Sequence, residues 1–340
     1  MKRMIGFVIA AALIVFGGLI FVIAMSVNGW DFGKLGSSRL ETNIYEITED
    51  FDGITIETDT ADIEFFPSND GKCKVVCYER EAQGHTVEVK DGKLSVKISD
   101  VDVRKWYSYI LNFGGDKITV YLPKQIYSSL FIETDTGDVE IGRAFTFGSA
   151  EIIGSTGDVE ISASVEGKLY IKMSTGDIEL EDLTAAEIEA KASTGDIEFE
   201  NVKTGSANLS VSTGEISIQS SEFSGDLAIK VSTGKSYLEN VTCKNLTSSG
   251  NTGDISLKKV IASEKISIER STGDVRFNFS DAAEISVETD TGSVKGTLLS
   301  EKVFIARSDT GKIDVPKTKN GGFCEITTDT GNIIISLVTD

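Results

Sequence analysis

Apolar and polar side chains alternate through most of the chain, and the alternation is punctuated at regular intervals by the dipeptide Thr-Gly. Its glycine falls at 137, 157, 176, 195, 214, 234, 253, 273, 292, 311 and 331, so successive spacings are 19 or 20 residues. Around Gly176, Leu169, Ile171 and Met173 lie seven, five and three residues before the glycine, and Ile178 and Leu180 two and four after it. A period of two puts one face of a strand on a core, and helical spacing does not fit. The apolar set is odd-numbered before Gly176 and even-numbered after it. The chain therefore turns a corner there while keeping its apolar side inward, and glycine supplies the backbone conformation the corner needs. The position seven before glycine is apolar in all eleven repeats, and the two inward positions after it fail only at Ser236 and Gly296.

A repeat near 20 residues that cannot bury its own apolar face predicts an all-β parallel β-helix, or β-solenoid, of 19–20-residue coils. Coils stack at ~4.8 Å, so twelve or more make a rod of roughly 60–75 Å. A degenerate copy, Asp59-Thr60-Ala61-Asp62-Ile63-Glu64-Phe65, lies 76 residues before Gly137, four periods upstream. Residues 46–125 lack Thr-Gly and read as an N-terminal cap with degenerate first coils, and 126–340 as the regular solenoid. The last coil ends in Ile333-Ile334-Ile335 with no evident cover, which calls for an end-to-end partner or a folded-back edge.

The N-terminus adds a different element. Ile5 to Val27 is uncharged for 23 residues, long enough for a ~30 Å hydrocarbon core, so one transmembrane signal-anchor helix is expected over 5–27. Lys2 and Arg3 precede it, which makes 1–4 a cytoplasmic tail, 28–45 a juxtamembrane linker and the C-terminal body extracytoplasmic. Trp30 and Phe32 suit the membrane interface. The alternative is a cleaved signal peptide ending near Ala24-Met25-Ser26. The net charge is −20, with the first 40 residues at +3 and the rest at −23. So acidic a body argues against nucleic acid and against lying on anionic lipid. Cys73, Cys77, Cys243 and Cys324 read as buried free thiols, because Cys73 and Cys77 are too far apart along a strand for a disulfide.

The run Ile118-Thr119-Val120-Tyr121-Leu122-Pro123-Lys124, followed by Leu130-Phe131-Ile132-Glu133-Thr134-Asp135-Thr136-Gly137-Asp138-Val139-Glu140-Ile141, resembles the bacterial "putative adhesin" family of uncharacterised function. The hydrophobic anchor followed by Gly29-Trp30-Asp31-Phe32 is similar to membrane-anchored Gram-positive members. The resemblance implies a β-solenoid from about residue 45 to the end, with adhesion or an accessory part in envelope-stress sensing as its two roles. It implies no catalytic residues.

Candidate chemistry is acidic and repetitive. One and three positions after glycine, four consecutive coils present Asp138 and Glu140, Asp158 and Glu160, Asp177 and Glu179, and Asp196 and Glu198. These eight carboxylates read as a solvated wall, with weak binding of a hard divalent cation such as Ca²⁺ as the sharper alternative. Farther on, Lys235, Arg276, Lys295 and Lys312 mix with Asp254, Asp274 and Asp314. The threonines of Thr-Gly could form a hydroxyl ladder. Arg104, Trp106, Tyr107, Tyr109 and Phe113 concentrate basic and aromatic groups in the cap and are candidates for sugar, partner or interface contact. His85, the one histidine, reads as a surface residue. No nucleophile elbow, P-loop or zincin motif occurs. The expectation is a structural or binding module, not an enzyme, with cell-wall polymer, glycan or an envelope protein as partner. A polysaccharide-cleaving solenoid is the remote alternative.

Overall fold

The computed structural model describes residues 16–19, 21–22, 25–26, 40–80, 84–99 and 115–338. From residue 40 onward they form an all-β solenoid in which successive coils pair in parallel. The register is the one the alternation predicts. Leu169 lies over Ile188, Ile171 over Ala190 and Met173 over Ala192. All six are buried. The column seven residues before each corner glycine is buried in every coil except the Gly311 coil, where Phe304 is partly exposed. Among the described residues no helix is long and apolar enough to cross a membrane, and most of segment 5–27 lies outside those residues.

Two features require glycine at the corner. Gly176 has φ +127°, and a Cβ on it would lie 1.9 Å from the carbonyl oxygen of Gly157 in the neighbouring coil. Stacked corners are joined by backbone bonds, as from the Gly157 amide to the Thr175 carbonyl at 3.1 Å and from Gly176 to Thr194 at 3.0 Å. The threonine hydroxyls are not the ladder. Among the described residues, carboxylates take that part. Asp138 Oδ1 accepts from the Asp158 amide (2.8 Å), Asp158 from Asp177 (2.8 Å), Asp177 from Asp196 (2.7 Å) and Asp196 from Glu215 (2.6 Å). The short Asp side chain reaches one layer and satisfies an amide that the turn leaves without a strand partner.

A second corner, six residues after the glycine, uses no glycine. Asp182, Asn201, Ser220, Asn240, Lys259 and Phe279 all have φ between +50° and +54°. Asp and Asn tolerate this left-handed conformation, whereas Lys259 and Phe279 hold it against their own preference.

Both ends depart from chain order. The strand Gly53–Thr58 pairs on one side with Lys93–Ile98 and on the other with Ser129–Thr136. Ala61–Pro67 likewise lies between Asp116–Leu122 and Val139–Ile141. The degenerate copy thus sits directly beneath the Gly137 coil, one layer away and not four, because Lys93–Ile98 and Asp116–Leu122 stack on its outer side. Antiparallel strands then close this end. Leu40–Ile47 pairs with Cys73–Arg80, which pairs with Asp116–Leu122, and His85–Lys90 pairs with Lys93–Ile98. The first of these strands begins inside the segment read as a linker.

At the far end, Val275–Thr291 pairs with Gly322–Thr330, which in turn pairs with Lys302–Thr310. Val294–Leu298 pairs with Ile333–Leu337, and that strand with Ile313–Asp314. The last coil in sequence is therefore the penultimate layer in space. The expectation that Ile333-Ile334-Ile335 lacks a cover is corrected: Ile333 and Ile335 are buried beneath the Gly311 coil. The physical reason is apolar content. The Gly311 coil, with the small Ala306 and Ser308 among its inward residues where the Gly331 coil has Ile326 and Thr328, tolerates the end position, where Ile313 stays 42% exposed.

Candidate functional site

The acidic face is built by register. Glu64, Glu140, Glu160, Glu179 and Glu198 stack directly over one another through parallel pairings. Glu64, 76 residues before Glu140, joins the column only because the degenerate coil docks next to Gly137. Asp62 heads the aspartate ladder in the same way, accepting from the Asp138 amide at 3.0 Å. The two columns differ chemically. The aspartates each commit one oxygen to a backbone amide, whereas the glutamates face solvent. Asp62, Glu64, Asp138, Glu140, Asp158 and Glu160 line a shallow groove of about 160 Å³. Lys117 caps its lower end through Glu64 at 2.5 Å.

Burial first, and then the surrounding carboxylates, push Glu160 and Glu179 above the ordinary carboxylate range. A raised folded-state value makes the ionised form a cost of folding. The cost is absent below the unfolded value, near 4.3, and grows to its full size as pH rises past the folded one. Converting both to glutamine (Glu160→Gln with Glu179→Gln) is expected to raise the melting temperature at pH 7. The gain should vanish at pH 4 and shrink in high salt, as melting curves across pH and ionic strength will show. Beyond this wall the sign changes. Arg276 bridges Asp254 at 2.7 Å and Asp274 at 2.8 Å, and Lys312 pairs with Asp314 at 2.8 Å. Burial raises the Asp254 carboxyl, but Arg276 and the Asp274 amide outweigh it and hold the group low.

Register also assembles aromatic platforms that are scattered in the sequence. Tyr170 lies between Lys168 and Lys191, at 5.8 and 5.7 Å from its ring centre, and both lysines pair with Glu189. Phe66 lies 5.9 Å from Tyr121, whose ring carries Lys74 at 4.3 Å. Such rings under a cation are each worth about 0.5–1 kcal/mol at exposed sites. The candidates Arg104, Trp106, Tyr107, Tyr109 and Phe113 lie outside the described residues.

His85 is not a surface residue. It is 6% exposed, with Nδ1 2.7 Å from Glu79 Oε2 and Nε2 3.0 Å from Thr58 Oγ1. Its backbone amide also donates to Glu79, and Asn43 donates to the other carboxylate oxygen. Burial opposes charge on Glu79, but these hydrogen bonds hold its carboxyl below the usual range. With Cys77, these two form a donor set within 4.8 Å that could hold a metal ion, although hydrogen bonds already engage the histidine and the carboxylate. What the network does here is fasten the cap: it joins four strands, those of Asn43, Thr58, Glu79 and His85, through one buried carboxylate and one buried imidazole. All four cysteines are free and buried, and burial pushes their thiols up to about 12.

The Toastrack DUF4097 family matches the chain over residues 51–235 and again over 219–340. The chain belongs to this family. Solved structures with which it aligns include a "putative adhesin" from Bacteroides fragilis, at 17% identity over 89% of this chain and 99% of the other, with a TM-score of 0.37. Another "putative adhesin", from Parabacteroides distasonis, aligns at 14% identity over 89% and 98%, with a TM-score of 0.42. A "putative lipid binding protein" from Parabacteroides distasonis aligns at 17% identity over 89% and 98%, with a TM-score of 0.41. No curated protein matches the chain.

Proposed function

We propose that this family member is a membrane-anchored, extracytoplasmic rod that binds a repeating envelope polymer or glycan, and that it acts as a structural and binding module. The observation that carries the reading is the spacing. Glutamates recur in register on a strand face at the ~4.8 Å step of stacked coils, and the lysine-flanked Tyr170 ring stands in one of those coils. A periodic flat face suits a periodic ligand, whereas a catalyst needs a few groups converging on one reacting atom. The anchor rests on the 23-residue apolar run and its basic N-terminal flank.

The test is binding of the full-length chain, held in lipid nanodiscs, to purified cell wall, peptidoglycan and glycan arrays. Saturable binding that weakens when Tyr170 becomes alanine is expected. No binding across those surfaces, with an envelope-stress reporter altered by deleting the gene, would favour the accessory sensing role instead. Calorimetry with Ca²⁺ separates the two readings of the acidic wall. Heat and a raised melting temperature that disappear in Glu140→Gln with Glu160→Gln mean cation binding, and no heat means a solvated wall.

A further inference from the structure

Among the described residues several charged side chains are buried, and those at Glu79–His85 and Lys302–Asp281 face an opposite partner; Arg270 has no such partner. Arg270 points inward, three residues before the Gly273 corner, and is 3% exposed. Its Nη2 donates to Ser248 Oγ at 2.8 Å and Ser236 Oγ at 3.3 Å. Its Nε and Nη1 are buried and have no hydrogen-bond partner.

The positions around it are shaped for this side chain. Ser236 replaces the Val or Ile that occupies its column in every other Thr-Gly repeat, and Ser248 stands between Ile229 and Ile268. Gly250 stacks directly under Arg270, and a Cβ there would lie 2.2 Å from Nη1. Three shortened side chains thus make room for one long cation over three layers. One layer beyond, Thr289 spends its hydroxyl on the Gly273 carbonyl.

A guanidinium inside such a tube needs more than hydrogen bonds. Buried charges are paired, because desolvation otherwise leaves a large uncompensated cost. Burial lowers Arg270 to about 10, which leaves it charged at neutral pH. Among the described residues no carboxylate forms an ion pair with it. The acidic residues nearest in sequence, Glu269 and the aligned Glu288, lie on the outer side of the same strands. Water could fill the two free donors but would leave the charge uncompensated.

We propose that a small monovalent anion of halide size sits inside the tube against Nε and Nη1 of Arg270. Halide size follows from the donors: two free N–H groups suit a spherical anion, whereas a phosphate or sulfate would need several more in a space between sheets about 10 Å apart. The ion is built in as the coils close over it and acts as a structural counter-charge for three layers.

The test uses the full-length chain, unfolded in urea, refolded in sodium bromide and crystallised. Anomalous scattering should place one bromide within hydrogen-bond reach of Nε and Nη1. Density that fits water alone there, with no anomalous peak, overturns the proposal. In solution, replacing gluconate by chloride at equal ionic strength should raise the melting temperature by about 2–4 °C, because a ligand bound only by the folded state stabilises it. Arg270→Met should fold, since methionine occupies the same column at Met173, and should lose that difference. An equal chloride effect in Arg270→Met overturns the assignment to this site.

Discussion

Deleting residues 322–340 is expected to unfold two layers, including one whose residues are all still present. The coil of Lys302–Thr310 and Ile313–Asp314 has its strand pairing with Gly322–Thr330 and Ile333–Leu337. Without them it must either bridge the vacated layer or detach. Ile326, Ile333 and Ile335 are buried in that layer, and losing them forfeits on the order of 5–9 kcal/mol of apolar burial. Hydrogen exchange will check the outcome. Amides of 302–314 should lose protection together in the truncated chain, while those of 255–272 stay protected. A solenoid stacked in chain order would instead keep 302–314 protected on top of Val275–Thr291.

The second large effect is Gly176→Ala. The substitution places a side chain at φ +127°, where L residues cost about 1–3 kcal/mol, and drives its Cβ to 1.9 Å from the Gly157 carbonyl oxygen. That carbonyl is backbone in the middle of the stack and has no room to yield. A loss of about 3 kcal/mol or more is expected in urea unfolding. Gly142→Ala is the control: it has open space around its Cβ position and no positive φ, and should change stability by under about 0.5 kcal/mol. Similar losses at the two sites would remove the argument for the corner.

Periodicity made the corner and the inward columns legible, because burial and glycine geometry impose the same residue types on every layer. It carries no information on vertical order. Ala61 and Gly137 look four coils apart because the spacing is four periods, yet Lys93–Ile98 and Asp116–Leu122 stack on the far side of Gly53–Thr58 and Ala61–Pro67 and not between these strands and the Gly137 coil. The Gly331 coil gives no sign of lying inside the Gly311 coil for the same reason: both satisfy the repeat. The aspartate ladder was hidden by chemistry. Asp138, Asp158, Asp177 and Asp196 have the composition of a solvated wall, and only the layer-to-layer geometry reveals that each holds its neighbour's amide. His85 was misjudged because its partner Glu79 lies six residues away on the preceding strand, a separation that no strand alternation marks. Ser236, by contrast, was visible as a break in its column, and Arg270 supplies the reason for it.

The inverted order at the two ends has a consequence for synthesis. A chain emerging from the ribosome N-terminus first could complete a sequentially stacked rod coil by coil. Here the layer containing Gly53–Thr58 has an open side until Ser129–Thr136 is available. The Gly311 coil, though already made, has no seat until Gly322–Thr330 and Ile333–Leu337 have been added. Only a chain that already includes residues 322–337 can therefore seat the Gly311 coil, and one interrupted before them carries an exposed edge where a protease can find it.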